Sequence, residues 1–300
     1  MVTDGQGWST MTGNASGWMS TAIRLEPIHP VDLRTDRPQS ARMYDFLLGG
    51  KTNFPVDRAV AEQALSAYPG LRTVTRMNRA FMRIAVEFLA RQGIDQFLDI
   101  GTGIPTTPNV HEIAQGIRPD ARIVYTDNDP IVLAHARALL TGITAEGRVD
   151  YIEADLRQPQ QILGHACLTG EQPALDLDRP VALQLISVLH FVPDQDEPYA
   201  LVRELLKPLA SGSFLVLSHA TADSNPEEVN RGADTYRGAG VRFQPRDHAE
   251  VEAFADGLEL LAPGAATPTA WWPGFAGDAE LPYADDPAVN DAYLLIARKP

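Results

Sequence analysis

Between positions 94 and 220, short apolar runs alternate with stretches whose apolar residues recur every three or four positions. That alternation reads as strands and helices taking turns. Strands are predicted over 97–100, 123–126, 151–154, 180–189 and 214–217. The fourth is an almost unbroken apolar run, as expected of a strand buried on both faces. Between the strands, Val110, Ile113, Ala114 and Ile117 share one helical face in a helix opening at Thr107 and Pro108. Asp129 and Pro130 form a cap and first turn for another helix, with Leu133, Ala134 and Leu140 directed inward. Residues 197–209 carry a further helical pattern. Strands joined by helices in this way predict a parallel sheet with right-handed crossovers.

Three helices precede this alternation. The first, over 41–48, ends at Gly49 and Gly50; the second starts at Pro55 and sets Val56, Val60, Ala64 and Tyr68 on one face. The third aligns Met77, Phe81, Ile84, Ala85, Phe88 and Leu89, with Gly93 as its cap. After the fifth strand, 226–236 and 247–254 read as helices, and 258–261 and 293–297 as strands. The segment 263–290 between those strands is rich in Pro, Gly and Ala, without helical periodicity. Lacking a crossover helix, the last two strands are expected to form an antiparallel hairpin. Residues 1–35 show no periodicity and read as a flexible arm. The expected organisation is an arm over 1–35, a helical cap over 36–93 and a ligand-binding core over 94–300.

Composition narrows the function. The 300 residues carry 25 basic and 39 acidic side chains, a formal charge of −14. A polyanionic partner needs clustered Lys and Arg, so nucleic acid is not expected as a partner. The single cysteine, Cys167, excludes an intramolecular disulfide and a thiolate metal cluster. The seven histidines show no metal-ligand spacing. With neither a signal-peptide pattern nor an 18-residue apolar run, the expected location is the cytoplasm, away from membranes.

Chemistry concentrates where the predicted parallel strands end, the edge at which open α/β sheets bind ligands. Gln96-Phe97-Leu98-Asp99-Ile100 runs into Gly101-Thr102-Gly103, a strand, glycine turn and helix that lets backbone approach a nucleotide-like ligand. Asp99 lies just before the turn. Asp127 ends the second strand, 24 residues past Gly103, where a carboxylate can accept both hydroxyls of a ribose. Asp127 and Asp129 can each also be read as a helix cap; Pro130 makes Asp129 the cap and leaves Asp127 for the ligand. Asp155 ends the third strand and could accept an adenine amine, with the Leu156 N–H meeting a ring nitrogen; its other reading is a turn aspartate. Ser187 to Phe191 ends the fourth strand, with His190 as an orienter, a base or a structural histidine.

These motifs resemble those of class I S-adenosylmethionine-dependent methyltransferases: Asp99, Gly101 and Gly103, then Asp127, then Ala154-Asp155-Leu156, then Val188-Leu189-His190. More narrowly, Ser40, Arg42, Tyr44, Asp45, Gly49, Gly50, Lys51, Asn53 and Phe54 resemble the signature of a mainly actinobacterial family long catalogued as a domain of unknown function. The similarity runs from about residue 36 to the C-terminus. It implies an α/β Rossmann-like sheet of seven strands, mostly parallel with the last antiparallel, and S-adenosylmethionine as cofactor. It also implies a donor site drawn from Tyr44, Gly49, Asp99, Gly101, Gly103, Asp127, Asn128, Asp155, Leu156, Ser187 and Leu189. Tyr44 and the Gly49-Gly50 turn are expected to form part of a lid; the other reading is a solvated helix with an ordinary glycine cap. Pro105 stands where such enzymes usually have a third glycine, so contact there must come from a neighbouring amide such as Gly103 or Ile104.

Methyl transfer asks mainly for alignment and exclusion of water. A hydroxyl or amine acceptor also needs a base, for which His190 and His219 are the candidates. The resemblance supplies no acceptor, and a small molecule is the preferred class. Two other readings compete. A dinucleotide-dependent oxidoreductase shares the glycine turn but wants Gly or Ala near position 106, where Thr106 stands. A non-catalytic S-adenosylmethionine-binding regulator would keep the fold and lose the chemistry.

Overall fold

Seven strands form one sheet in the order β3-β2-β1-β4-β5-β7-β6, parallel except at β7, which runs antiparallel to β5 and β6. The structure is a computed structural model describing residues 32–139 and 142–300; most of the arm expected over 1–35, and Leu140, lie outside the described residues. Residues Leu33–Pro300 make one compact unit.

Helices α1 (Ser40–Leu47), α2 (Pro55–Ala67) and α3 (Leu71–Arg91) come first, as the periodicity predicts. Met77, Phe81, Ile84, Ala85 and Leu89 of α3 are buried against the sheet. Gly93 then turns with φ +95°, a conformation that side chains resist, and the Ile94 N–H reaches back to the Leu89 carbonyl at 3.0 Å. The core alternates β1 (Gln96–Ile100), α4 (Val110–Ile117), β2 (Arg122–Asp127), α5 (Pro130–Leu139), β3 (Arg148–Glu153), α6 (Pro159–Leu163), α7 (Ala166–Thr169), β4 (Ala182–Ile186), α8 (Pro198–Leu206) and β5 (Phe214–Ala220). Helices α9 (Pro226–Gly238) and α10 (His248–Glu252), strand β6 (Glu259–Leu260), helix α11 (Pro268–Phe275) and strand β7 (Ala292–Arg298) complete the chain. Alternate residues of each strand face opposite sides. Phe97, Ile123, Tyr125 and Val216 pack under α3 and α4, while Leu98, Val124, Leu183 and Leu217 join the core on the other face.

Four local expectations are corrected. Helix α4 starts three residues later than Thr107, at Val110. Asn109 caps it, because its side chain and that of Glu112 exchange bonds with each other's backbone. In α5, Ala134 faces solvent while Ile131, Val132, Leu133 and Ala136 are buried, since residue 134 falls outside the face that 132, 133 and 136 share. Strand β4 stops at Ile186 instead of running to 189, because Ser187 turns the chain with φ +57°. Finally, 263–290 does hold a helix. Thr267 and Pro268 open α11, whose Trp271 and Phe275 pack edge-on against Phe81 (4.9 Å) and Phe88 (5.0 Å) of α3. Aromatic burial against α3 supplies what local periodicity lacks. The expected β6–β7 hairpin pairing is present with that helix inside its connection, through Glu259 opposite Arg298 and Leu260 opposite Ala297.

Candidate active site

The carboxyl ends of β1, β2, β3 and β4 open on one cleft, lined among others by Asp99, Gly101, Gly103, Asp127, Asp155 and Ser187. Each glycine of the turn has its own reason. Gly101 (φ +77°) lies against Val188, and a Cβ there would meet Val188 Cγ2 at 2.6 Å. Gly103 (φ +68°) borders open space, with nothing within 4 Å of where its Cβ would be. The first glycine lets two strand ends approach; the second leaves room for a ligand. A Cβ at residue 103 would also be strained by its backbone.

Asp127 locks this turn to β2. Its Oδ2 accepts the Gly103 N–H and its Oδ1 the Asp129 N–H, both at 2.9 Å. The Gly103 amide is therefore committed within the protein, which corrects the expectation that it contacts the ligand in place of residue 105. A carboxylate offers about four acceptor positions, so Asp127 keeps capacity for a ribose. Burial pushes its pKa up to about 6 against the amides that hold it down. Burial pushes Asp99 up to about 7, opposed by Arg79 and helped by Asp127. At the next strand end, Asp155 accepts Asn128 Nδ2 (3.0 Å), the Arg157 N–H (2.9 Å) and Arg157 Nη1 (3.0 Å). About one acceptor position then remains for an exocyclic amine.

At the end of β4 the strained Ser187 is over-determined. Its N–H reaches Ser218 Oγ at 2.9 Å; Ser218 donates to Asn78 Oδ1; Asn78 Nδ2 donates to Tyr44 Oη at 2.8 Å; and the Tyr44 hydroxyl donates to the Thr75 carbonyl at 3.0 Å. The chain of bonds ties β4, β5, α3 and α1 into one wall. Leu189 is buried in the core and Gly49 (φ +85°) is exposed at the end of α1, so neither lines the cleft; Val188, Phe191 and Val192 do.

The polar signature before β1 is tied into the scaffold by buried hydrogen bonds. Arg42, wholly buried, forks onto Asp129 with Nε–Oδ2 and Nη2–Oδ1 both at 2.8 Å and also donates to the Leu33 and Arg34 carbonyls. Buried Asp45 accepts the Thr52 N–H (2.8 Å) and Asn53 Nδ2 (2.7 Å), and a Cβ on Gly50 would collide with it at 2.0 Å. Asp57 accepts the Gln39 and Phe54 N–H groups at 2.9 and 2.8 Å. Every one of these carboxylates is spent on backbone or on a buried partner.

A second pocket adjoins the cleft and shares Ser40, Tyr44, Asn78, Ser187 and Phe191 with it. His190 and His219 both line it. The Nε2 of His219 accepts Arg246 Nη1 at 2.9 Å and its Nδ1 faces the Ala220 carbonyl at 2.8 Å. Burial, then the Arg246 charge, lowers its pKa to about 3. With both ring nitrogens engaged, His219 does not fit the base expected of it. Burial and the neighbouring His219 and Arg246 hold His190 neutral too, well below the usual histidine range, but its Nδ1 has no hydrogen-bond partner. Buried Arg246 also donates to the Leu189 and Val192 carbonyls (3.2 and 2.9 Å) and to Asp194 (2.7 Å), fixing the turn that carries His190.

Sequence reasoning passed over Arg79, Asn78, Arg157 and Arg246. The only signal for Arg79 and Asn78 was polarity near the start of the long apolar face of α3.

A sheet in this order, with an antiparallel β7 and a glycine turn at the end of β1, defines a class I methyltransferase architecture. The chain belongs to the S-adenosyl methyltransferase family whose model matches residues 27–299. A DUF574 family protein from Streptomyces avermitilis is 44% identical, with a TM-score of 0.83 over 89% of this chain and all of that one. A candidate methyltransferase from Thermobifida fusca is 35% identical, with a TM-score of 0.79 over 91% of this chain and 99% of that one. No curated protein matches. The chain is thus an S-adenosylmethionine-dependent methyltransferase, which replaces the oxidoreductase reading. Among the described residues, no helix is long and apolar enough to cross a membrane.

Proposed function

We propose that this methyltransferase acts on a small molecule, bound in the pocket beside the donor cleft and reacting at the edge where the two spaces meet. The supporting observation is that common wall: Ser40, Tyr44, Asn78, Ser187 and Phe191 border both spaces. A nucleophile in one lies next to whatever occupies the other. The net charge of −14 agrees with a non-polyanionic acceptor.

The residues at the cleft fit the donor. Asp127 suits the ribose hydroxyls, Asp155 and Leu156 the adenine edge, with Asn128 holding Asp155 in place. Asp99 and Arg79, lining the same cleft, suit the ammonium and carboxylate of the methionine end, an ammonium beside Asp99 favouring its ionised form. Gly103 leaves the turn clear of side chains. When bound, S-adenosylmethionine supplies an electrophilic methyl carried on a sulfonium. In an in-line transfer the acceptor lone pair forms the new bond to carbon while the carbon–sulfur electron pair stays on sulfur. The acceptor's own proton must then leave. His190, neutral and with its Nδ1 unpartnered, is our candidate to take it. His219 and Arg246 position His190 and do not touch the reacting atoms.

Metabolite extracts incubated with enzyme and methyl-labelled donor test this reading. Label should enter a low-molecular-mass fraction, with stoichiometric S-adenosylhomocysteine. Label entering only nucleic acid, and persisting at physiological salt, would overturn the small-molecule assignment.

A further inference from the structure

We infer that the acceptor is an arylalkylamine, its ammonium received by Asp291 and its nucleophile held at the other end of the pocket, near Ser187. This rests on the methyltransferase reading above and adds the chemistry of the acceptor.

The pocket beside the donor cleft is walled by apolar and aromatic side chains, among them Leu47, Val229, Tyr236 and Phe243. Among the described residues, no Arg or Lys lines it and Asp291 is the one lining carboxylate. Asp291 is 2% exposed. Its Oδ2 accepts the Tyr68 hydroxyl at 2.6 Å, while its Oδ1 is buried with no hydrogen-bond partner. Asn225 donates one amide hydrogen to Glu228 at 3.2 Å and turns toward the Asp291 carboxyl as well, easing its charge without completing a hydrogen bond to Oδ1. A buried carboxylate oxygen without a protein donor is costly, and in a pocket wall it is a place where a bound donor group lowers that cost. The charge of that ligand follows from the surroundings. Glu228 and Asp286 add negative potential at the same carboxyl, and nothing on the wall would neutralise an anion. A cation is favoured, and the aromatic wall suits an aromatic body.

Geometry sets the length of the molecule. Asp291 immediately precedes β7, where Ala292 pairs with Ala220 at the end of β5. Strand β4, which ends at Ser187, lies on the other side of β5. Two strand spacings separate Asp291 from Ser187, on the order of 10 Å. An ammonium at Asp291 and a nucleophile near Ser187 are therefore the two ends of one molecule, about the span of a benzene ring bearing a two-carbon amine on one side and a hydroxyl opposite.

Three compounds sharing that skeleton test the inference: tyramine, the neutral tyrosol, and the anionic 4-hydroxyphenylacetate. Each is titrated calorimetrically at pH 7.5 into protein already saturated with S-adenosylhomocysteine. Tyramine should bind at least tenfold more tightly than tyrosol, and the acid should not bind. Asp291→Asn should remove the preference for the amine while keeping S-adenosylhomocysteine affinity and melting temperature close to wild type. Equal or tighter binding of the acid, no binding by any of the three, or an amine preference surviving in Asp291→Asn would each overturn the inference. The comparison on wild-type protein stands even if the variant fails to fold. The saturation step separates the two levels of the argument. Failure to bind S-adenosylhomocysteine sinks the methyltransferase reading; binding it while rejecting the amine sinks the acceptor assignment alone.

Discussion

Arg42 and Asp129 stand 87 residues apart in the chain and meet in a buried two-pronged ion pair, both N–O distances 2.8 Å. The pair joins α1 to the start of α5, next to the carboxylate that locks the glycine turn. Asp129 also accepts the Ile131 N–H at 2.9 Å, so it is a cap as well as an ion-pair partner. Removing either charge strands the other in the interior. Arg42→Ala and Asp129→Ala should each cost about 3–5 kcal/mol in denaturant unfolding, well beyond the ~1 kcal/mol of a lost cap. The double variant Arg42→Met/Asp129→Leu should recover most of the loss. Losses near 1 kcal/mol for the single variants would show that the pair is not buried in solution.

The bonds of Tyr44 to Thr75 and Asn78 give α1 the character of a fixed wall. Amide hydrogen exchange over residues 41–48 should be slow before any ligand is added and change little with S-adenosylhomocysteine. Tyr44→Ala should lower the melting temperature of the unliganded protein. Rapid exchange that slows on ligand addition, with an unchanged melting temperature, would restore the lid.

These two cases mark what the sequence discloses. Strand β1, the glycine turn and the strand-end carboxylates Asp127 and Asp155 are legible because their meaning is local: a period of two, a turn, a carboxylate where the strand stops. The signature residues Arg42, Asp45, Asn53 and Asp57 are dense in chemistry, and density alone reads as a site. Their partners, Asp129 for Arg42 above all, are set by tertiary packing that no spacing announces. Helix α11 was hidden for the same reason, since Trp271 and Phe275 find their reason to be helical on α3. Leu189 leaves the cleft for a reason the apolar run does not disclose: Ser187 bends the chain, sending Leu189 into the core and Val188 over Gly101.

Asp99 gives a pH signature. Its folded pKa is raised to about 7 by burial, so the folded protein binds the proton that the unfolded chain releases near pH 4. Stability from this group is complete below the unfolded value and is lost as pH rises through about 7. Other groups shift the absolute curve: buried His190 and His219, lowered, act in the opposite direction below the ordinary histidine pKa. The comparison with Asp99→Asn cancels them. The variant's stability relative to wild type should climb between pH 4 and pH 8 by roughly 2–4 kcal/mol. A flat difference would mean that Asp99 is solvated.

The two histidines should separate kinetically once an acceptor is in hand. His190→Ala should lower kcat by about 100-fold or more, leave donor affinity unchanged, and abolish the acid limb of the pH–rate profile. His219→Leu should lower stability, because Arg246 loses the acceptor at 2.9 Å, and reduce kcat only as far as His190 is displaced. An unaltered kcat in His190→Ala would remove the base from the mechanism and leave transfer to alignment alone.

The central claim is that the cleft at the ends of β1 to β4 holds the methyl donor through Asp127. Calorimetric titration of wild type and Asp127→Ala with S-adenosylhomocysteine, alongside NAD, tests it most directly. Wild type should bind S-adenosylhomocysteine in the micromolar range and ignore NAD, and Asp127→Ala should lose roughly 1.5–3 kcal/mol of that affinity. Tight NAD binding without S-adenosylhomocysteine binding, or an Asp127→Ala variant that binds as well as wild type, would contradict the account.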